Sequence, residues 1–133
     1  MMRAELVLAH CKRDLSWVSE AMSALLSCQV NVTAVSVYSK CNATHTLGTL
    51  PSGARVTALP NVGRCDHAYA HHLASRPPTE LEPLVLFLKD TTYHGSDPHF
   101  NVLNVPLCHM AAAARGRFDF GCGRYPDAST QGK

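Results

Sequence analysis

Hydrophobic and polar positions along the chain follow two different spacings, and the changes between them mark the elements of the fold. Four short apolar stretches, rich in Val, Leu or Thr, have the length and composition of β-strands. Two other stretches repeat apolar residues at helical spacing, and Asp14 is predicted to cap the first of them. A third helix is predicted from its end signals, with Asn104 as a cap, Pro106 in the first turn and Gly116 at the close. The predicted strands are 5–10, 30–38, 55–59 and 84–88, and the predicted helices are 14–26, 64–75 and 104–116. This order, β-α-β-β-α-β-α, predicts an α/β sandwich with a mostly parallel sheet.

The most apolar of these stretches, from Leu84 to Leu88, contains no polar residue. A continuous apolar run is typical of a strand that is covered on both faces, so we predict a central, buried strand. Ligands of parallel sheets bind outside the carboxyl ends of the strands. We therefore predict that the loops 60–64 and 89–94, each of which follows a strand, line one cleft.

Composition narrows the class of protein. The chain has 133 residues, of which 46% are hydrophobic and 17% charged, and these values are typical of one soluble globular domain. We assign 1–118 to a single α/β domain and 119–133 to a loop-like tail. A net charge of +2 does not favour nucleic acid as a partner. No apolar run is long enough to span a bilayer, and the start lacks the apolar core of a signal peptide, so an intracellular location is the default expectation.

Six scattered cysteines with no Cys-x-x-Cys pair predict mostly free thiols, since disulfide frameworks are typical of short chains with little core. Two glycosylation sequons begin at Asn31 and Asn42. Asn31 falls inside a predicted strand and is discounted. Both sequons would matter only if the chain entered the secretory route.

Four segments of the chain resemble a known family. They are HCKRDLSWV, VYSK, LPNVGRCDHAYAHHL and LVLFLKDTTYH. They are similar to an uncharacterised eukaryotic and bacterial domain family with the elements Arg-Tyr-Asn-Glu-Asp-Leu-Ser-Trp, Tyr-Asn-Lys, Pro-Asn-Val-Gly-Arg-Glu and Phe-Leu-Gln-Gly. That family looks like a relative of the GT-A glycosyltransferases, which bind a nucleotide-sugar on a Rossmann-like half-domain. The resemblance implies a Rossmann-like three-layer α/β/α fold and, because family members are typically longer, a short or truncated GT-A-like half-domain.

The resemblance also implies where a nucleotide-sugar and a divalent cation would bind. Asn61, Gly63 and Arg64 form a turn into a helix, where backbone amides and a guanidinium favour phosphate. A cation, Mn²⁺ or Mg²⁺, would lie near Asp90 and His94, and Asp90 is also the candidate general base. The remaining candidates for substrate binding are His67, Lys89 and Lys12.

The chain departs from the family pattern where the chemistry would be. Lys12-Arg13 replaces Asn-Glu, Cys65 replaces Glu, and Lys89-Asp90 replaces Gln-Gly. One carboxylate is a thin site for a hard cation. Two hypotheses therefore stay open: a glycosyltransferase-like domain, and a non-catalytic binding or scaffold module that has lost the cation site.

A third hypothesis is a metal-binding protein, because the chain contains eight His and six Cys. His67 and His71 are four residues apart and share one helix face. Such a pair binds zinc when a third ligand, here His94 or Cys65, comes close. The alternatives are a polar rim of the cleft and a solvated helix face.

Overall fold

The structure is a computed structural model that describes residues 1–92 and 105–115. Its strands are β1 (Met2–His10), β2 (Val30–Ser39), β3 (Arg55–Ala58) and β4 (Leu84–Lys89). Its helices are α1 (Val18–Ser27), α2 (Arg64–Ser75) and α3 (Val105–Arg115), with short 3-10 turns at Thr44–Thr46, Pro78–Glu80 and Asp90–Thr92. All seven predicted elements are present, and α2 has the predicted bounds. The predicted tail at 119–133 lies outside the described residues.

The four strands form one sheet in the order β3-β2-β1-β4, and each pair of neighbours is parallel. This confirms the prediction of an α/β fold with a parallel sheet. Because the strands run in one direction, their carboxyl ends lie at the same edge of the sheet. The loops that follow β1, β2, β3 and β4 all leave from that edge.

The prediction that the strand 84–88 is central was wrong for the sheet that the described residues form. β4 pairs with β1 alone and lies at an edge, whereas β1 lies between β2 and β4. Leu84, Leu86 and Leu88 are buried, while Val85 and Phe87 are half-buried on the opposite face. An apolar run shows that helices cover both faces of a strand, and it carries no information about which strands flank it.

The two faces of β1 bury two separate cores. Leu6 and Leu8 face α1 and α3 within the larger core. Val7 and Ala9 face α2 within the smaller one, together with Ala68. The alternation follows from the two-residue period of a strand, which sends successive side chains to opposite faces. Helices therefore cover the sheet on both sides.

A bulge in β2 keeps its valines on one face. Ala4 of β1 is opposite Val32 of β2, but the next residue, Glu5, is opposite Ala34, so Thr33 is the extra residue. Val30 and Val32 before the bulge, and Val35 and Val37 after it, all pack in or against the larger core. Without the extra residue, the period of two would turn the second pair of valines toward the other face.

The beginning of α1 differs from the prediction that Asp14 caps it. The helix begins at Val18, and its N-cap, Trp17, makes no side-chain capping bond. Asp14 instead accepts the backbone N–H of Ser16 through Oδ1 at 2.8 Å, and so closes a turn before the helix. Acidic residues favour such turns as strongly as they favour caps, so the sequence could not separate the two.

Four cysteines are paired, so the prediction of mostly free thiols was wrong. Cys11 is bonded to Cys41, and Cys28 to Cys108, across sequence separations of 30 and 80 residues. Among the described residues Cys65 is free. The first bond joins the ends of the neighbouring strands β1 and β2, and the second joins the end of α1 to α3. The parallel topology brings these cysteines together, and their spacing along the sequence does not reveal the pairing.

None of the described helices has the length and apolar character needed to cross a bilayer.

The core packing of α1 predicts that two neighbouring leucines contribute very differently to the free energy of unfolding. Leu25 is 0% exposed and Leu26 is 49% exposed. Leu25→Ala should lower the free energy of unfolding by about 2–5 kcal/mol, because it leaves a cavity in the core. Leu26→Ala, the matched control, should change it by no more than about 0.5 kcal/mol. Urea denaturation under oxidising conditions measures both, and equal effects would contradict this packing of α1.

Candidate functional site

An open cleft of about 500 Å³ lies at the carboxyl edge of the sheet. Its walls come from the ends of β1 and β2 and from the loop that follows β3. This is where parallel sheets bind their ligands. The lining residues are Cys11, Lys12, Lys40, Cys41, Asn42, Leu59, Pro60 and Asn61.

Lys40 is the most constrained polar residue of this cleft. It is only 6% exposed, and its ammonium group donates to the backbone carbonyls of Val62 and Arg64. Its backbone N–H also donates to the carbonyl of His10 at 2.9 Å. Lys40 thus fixes the turn after β3 against the end of β1. An ammonium group has three N–H donors, and these two carbonyls account for two of them.

The cleft carries positive charge. Its lining includes Lys12, which is exposed, and Lys40, and none of the described residues that line it is a carboxylate. The ion pairs among the described residues are Arg3–Glu82, His72–Glu5 and Arg76–Glu5, so neither lysine lies within ion-pairing distance of a described carboxylate. Cations in a partly enclosed cleft attract anions, so the electrostatics favour an anionic ligand.

Asp90, the predicted catalytic residue and cation ligand, is held by the backbone of the loop after β1. Its Oδ2 accepts the N–H groups of Cys11, Lys12 and Arg13 at 2.8, 3.0 and 3.1 Å. The residue is 7% exposed. A divalent cation at this oxygen would meet three amide hydrogens, whose partial positive charge repels it. The contacts fit a structural role, in which Asp90 ties β4 to the loop after β1.

Two of the predicted ligand-binding residues, Lys12 and Asn61, line the cleft together. Gly63 has φ of 65° and is the N-cap of α2, which agrees with the left-handed turn predicted there. Arg64 follows with φ of 52° and is exposed, but it is not among the residues that line the cleft.

The other predicted residues lie elsewhere. Lys89 is exposed at the end of β4, and His67 is half-buried in α2. His94 lies outside the described residues. Arg64 and Asp90 share the carboxyl edge but follow the outer strands β3 and β4, which are about 14 Å apart at the usual strand spacing. The structure therefore does not bring them together in the described cleft.

Of the two predicted histidines on α2, His71 packs against an aromatic ring and His67 lies next to His71. The ring centroids of His67 and His71 are 6.4 Å apart, and His71 meets Tyr38 edge-on at 5.4 Å. Nδ1 of His67 is buried and has no hydrogen-bond partner within the described residues. In residues 1–92 and 105–115 no three His, Cys, Asp or Glu side chains come close enough to hold a metal ion.

A buried histidine beneath the cleft was not predicted from the sequence. His10, 1% exposed, lies 2.8 Å through Nδ1 from the hydroxyl of Ser39 and 3.1 Å through Nε2 from that of Thr46. The hydroxyl of Thr46 donates to the carbonyl of Ala43, so it accepts from His10. Nε2 of His10 therefore carries the proton, and Nδ1 accepts from Ser39. Burial lowers the pKa of His10, although Asp90 partly opposes the shift.

A second buried network links β1, β2 and α2. Nε2 of His72 lies 2.9 Å from Oε2 of Glu5, and its Nδ1 lies 2.8 Å from the hydroxyl of Tyr38. Oε1 of Glu5 accepts the backbone N–H of Glu82 at 3.1 Å. Burial raises the pKa of Tyr38, so its hydroxyl stays protonated and can donate. The side chains of Glu5, Tyr38 and His72 are buried, and none of them lines the cleft, so the network supports the fold.

Comparison of the chain with protein-family models, with curated proteins and with solved structures gave no match. The resemblance to the GT-A-related family, and the nucleotide-sugar and cation that it implies, therefore stay predictions. What the structure contributes is the geometry of the cleft and the contacts of Asp90.

The environment of His10 predicts a pH dependence of stability. Because its pKa is lowered from 6.5 in the folded state, the unfolded chain takes up the proton first as the pH falls. Stability should fall as the pH drops below about 6.5, until the folded pKa is reached. His10→Gln keeps a hydrogen-bond donor toward Thr46. This variant should be less stable at neutral pH, but its stability should depend less on pH over this window. Thermal unfolding from pH 7.5 to 5 measures the two slopes, and equal slopes would exclude His10 as the cause.

Proposed function

We propose that this chain is a non-catalytic α/β module that binds a nucleotide-sugar through its diphosphate. The observation that carries the proposal is the cleft at the carboxyl edge, whose lining, among residues 1–92 and 105–115, has two lysines, two asparagines and no carboxylate. A diphosphate bears about two negative charges near neutral pH, and Lys12 and Lys40 match that charge.

The topology supports a nucleotide as the ligand. The order β3-β2-β1-β4 is that of the first four strands of the classic Rossmann sheet, in which nucleotides bind outside the carboxyl ends of the strands. Helices α1 and α3 pack on one face of the sheet and α2 on the other, as a three-layer Rossmann-like fold requires. The described cleft lies at the edge where this fold places its ligand.

Three polar side chains of the cleft, Lys40, Lys12 and Asn61, each have a defined part in this binding. Lys40, held in place by two carbonyls, points its remaining N–H donor at a phosphate oxygen. Lys12 is exposed in the same lining and supplies the second charge. Asn61 offers an amide, which can donate to phosphate or bond a sugar hydroxyl. Leu59 and Pro60 give the apolar surface on which a sugar ring or a base packs.

Binding without transfer follows from the position of Asp90. Transfer of the sugar requires compensation of the charge that develops on the leaving diphosphate, usually by a carboxylate-bound cation. Oδ2 of Asp90 is already surrounded by three amide donors. To hold a cation through Oδ2, this carboxylate would have to leave the loop after β1, and its hydrogen bonds to three backbone N–H groups would be lost.

Calorimetric titration with uridine and guanosine diphosphate sugars tests the proposal. Lys12→Ala should weaken binding by about tenfold, the effect of losing a hydrogen bond to a charged group. Arg3→Ala removes the same charge at the amino end of β1 and should leave the affinity unchanged. Raising the salt concentration should weaken binding, because Lys12 is exposed and screened. Replacing manganese with a chelator should have no effect.

Two outcomes would contradict the proposal. Absence of binding with every diphosphate sugar, with and without manganese, would exclude the cleft as a nucleotide site. Binding that disappears in chelator and in Asp90→Asn would show that a cation on Asp90 is required, and would favour the transferase.

A further inference from the structure

The loop after β2 contains a modification motif that has no role in the proposed binding. Asn42-Ala43-Thr44 has the form of an N-glycosylation acceptor, Asn-x-Thr. Asn42 and Thr44 are exposed, whereas Ala43 between them is buried and anchors the turn. Asn42 has φ of 51°, a left-handed conformation that Asn adopts more readily than most residues. Both side chains that a glycosylating enzyme must reach are therefore presented to solvent.

The disulfides indicate that the chain folds in an oxidising compartment, which is the condition under which the sequon at Asn42 can be glycosylated. Two disulfides are typical of proteins that fold in an oxidising compartment and are rare in the cytosol. N-linked glycans are added in that same compartment of the secretory route. One of the two disulfides joins Cys11 to Cys41, and Cys41 directly precedes Asn42. The disulfide and the glycosylation motif therefore lie in the same segment of the chain.

We propose that Asn42 carries an N-linked glycan. The donor is a lipid-linked diphosphate oligosaccharide. The side-chain amide nitrogen of Asn42 attacks C1 of its first sugar, the bond from C1 to the phosphate oxygen breaks, and the lipid diphosphate leaves. A general base of the glycosylating enzyme takes the amide proton, so one N–C bond replaces one C–O bond with no change of oxidation state.

The second sequon, which begins at Asn31, is a natural comparison. Asn31 lies within β2, opposite Arg3 of β1 in the sheet ladder. Thr33 of that sequon is the bulge residue, and its hydroxyl donates to the carbonyl of Ala4 at 3.3 Å. Its acceptor segment is thus built into the sheet, whereas that of Asn42 lies in a surface loop, where modified residues are better tolerated.

A glycan at this position has a consequence for the cleft, because Asn42 is one of its lining residues. The sugar chain would stand at the mouth and keep large surfaces away. The cleft would then admit a small molecule and exclude another protein, whichever anion it binds. The proposal does not depend on nucleotide-sugar binding.

Mass spectrometry of the protein purified from its native source tests this. Trypsin, after reduction and alkylation, releases residues 41–55, in which Asn42 is the one asparagine. Treatment with the amidase that removes N-linked glycans, in heavy-oxygen water, should convert Asn42 to labelled aspartate. A sample without the amidase controls for spontaneous deamidation.

Matched variants assign the site. Thr44→Ala leaves Asn42 in place but destroys its sequon, and should abolish the label at position 42. Thr33→Ala does the same to the other sequon, and should leave the label at 42 unchanged. Recovery of the peptide with unmodified Asn42, or labelling at position 31 alone, would overturn the proposal. Labelling at both positions would support it, since the claim concerns Asn42.

Discussion

A carboxylate buried in the central strand constrains the rest of the structure. Glu5 of β1 is 1% exposed, and its charge needs partners because both faces of β1 are covered. His72 of α2 and the backbone N–H of Glu82 supply hydrogen bonds, and Arg76 lies 3.8 Å away. Helix α2 must therefore cross the sheet with His72 over β1. That fixes its other end, with Gly63 as the N-cap, at the carboxyl edge where the cleft lies.

At the carboxyl edge the backbone, and not an opposite side chain, compensates two further buried charges. Amide N–H groups surround the carboxylate of Asp90, and carbonyl oxygens bind the ammonium of Lys40. Each contact joins loops from different strands: Asp90 joins the ends of β4 and β1, and Lys40 joins the ends of β2 and β3. These contacts tie the loops of the edge together without a salt bridge between the two residues, and the charge of the exposed Lys12 stays available to a ligand.

The sequence predicts what local periodicity controls and misses what distant residues decide. The bounds of α2, the order of elements and the parallel sheet follow from apolar spacing and from the Pro and Gly residues between elements. The lateral position of β4 does not, because an apolar run reports covered faces only. The partners of Asp90 lie 77 to 79 residues away, so no local pattern announces them. Lys40 matches the Tyr-Asn-Lys element of the family that the chain resembles. That match did not predict any structural or binding role for the lysine.

The Cys28–Cys108 bond also determines how the molecule responds to pulling. The bond closes a loop of 80 residues that contains β2, β3, α2 and β4. A force applied between the two chain ends would bypass that loop and pass through the sulfur atoms. The bond would hide roughly 270 Å of contour length, at about 3.4 Å per extended residue. Mechanical extension of the oxidised protein would thus load the sheet through β1, which lies outside the loop and pairs with β2 and β4. The strands inside the loop would stay joined to one another by the covalent closure.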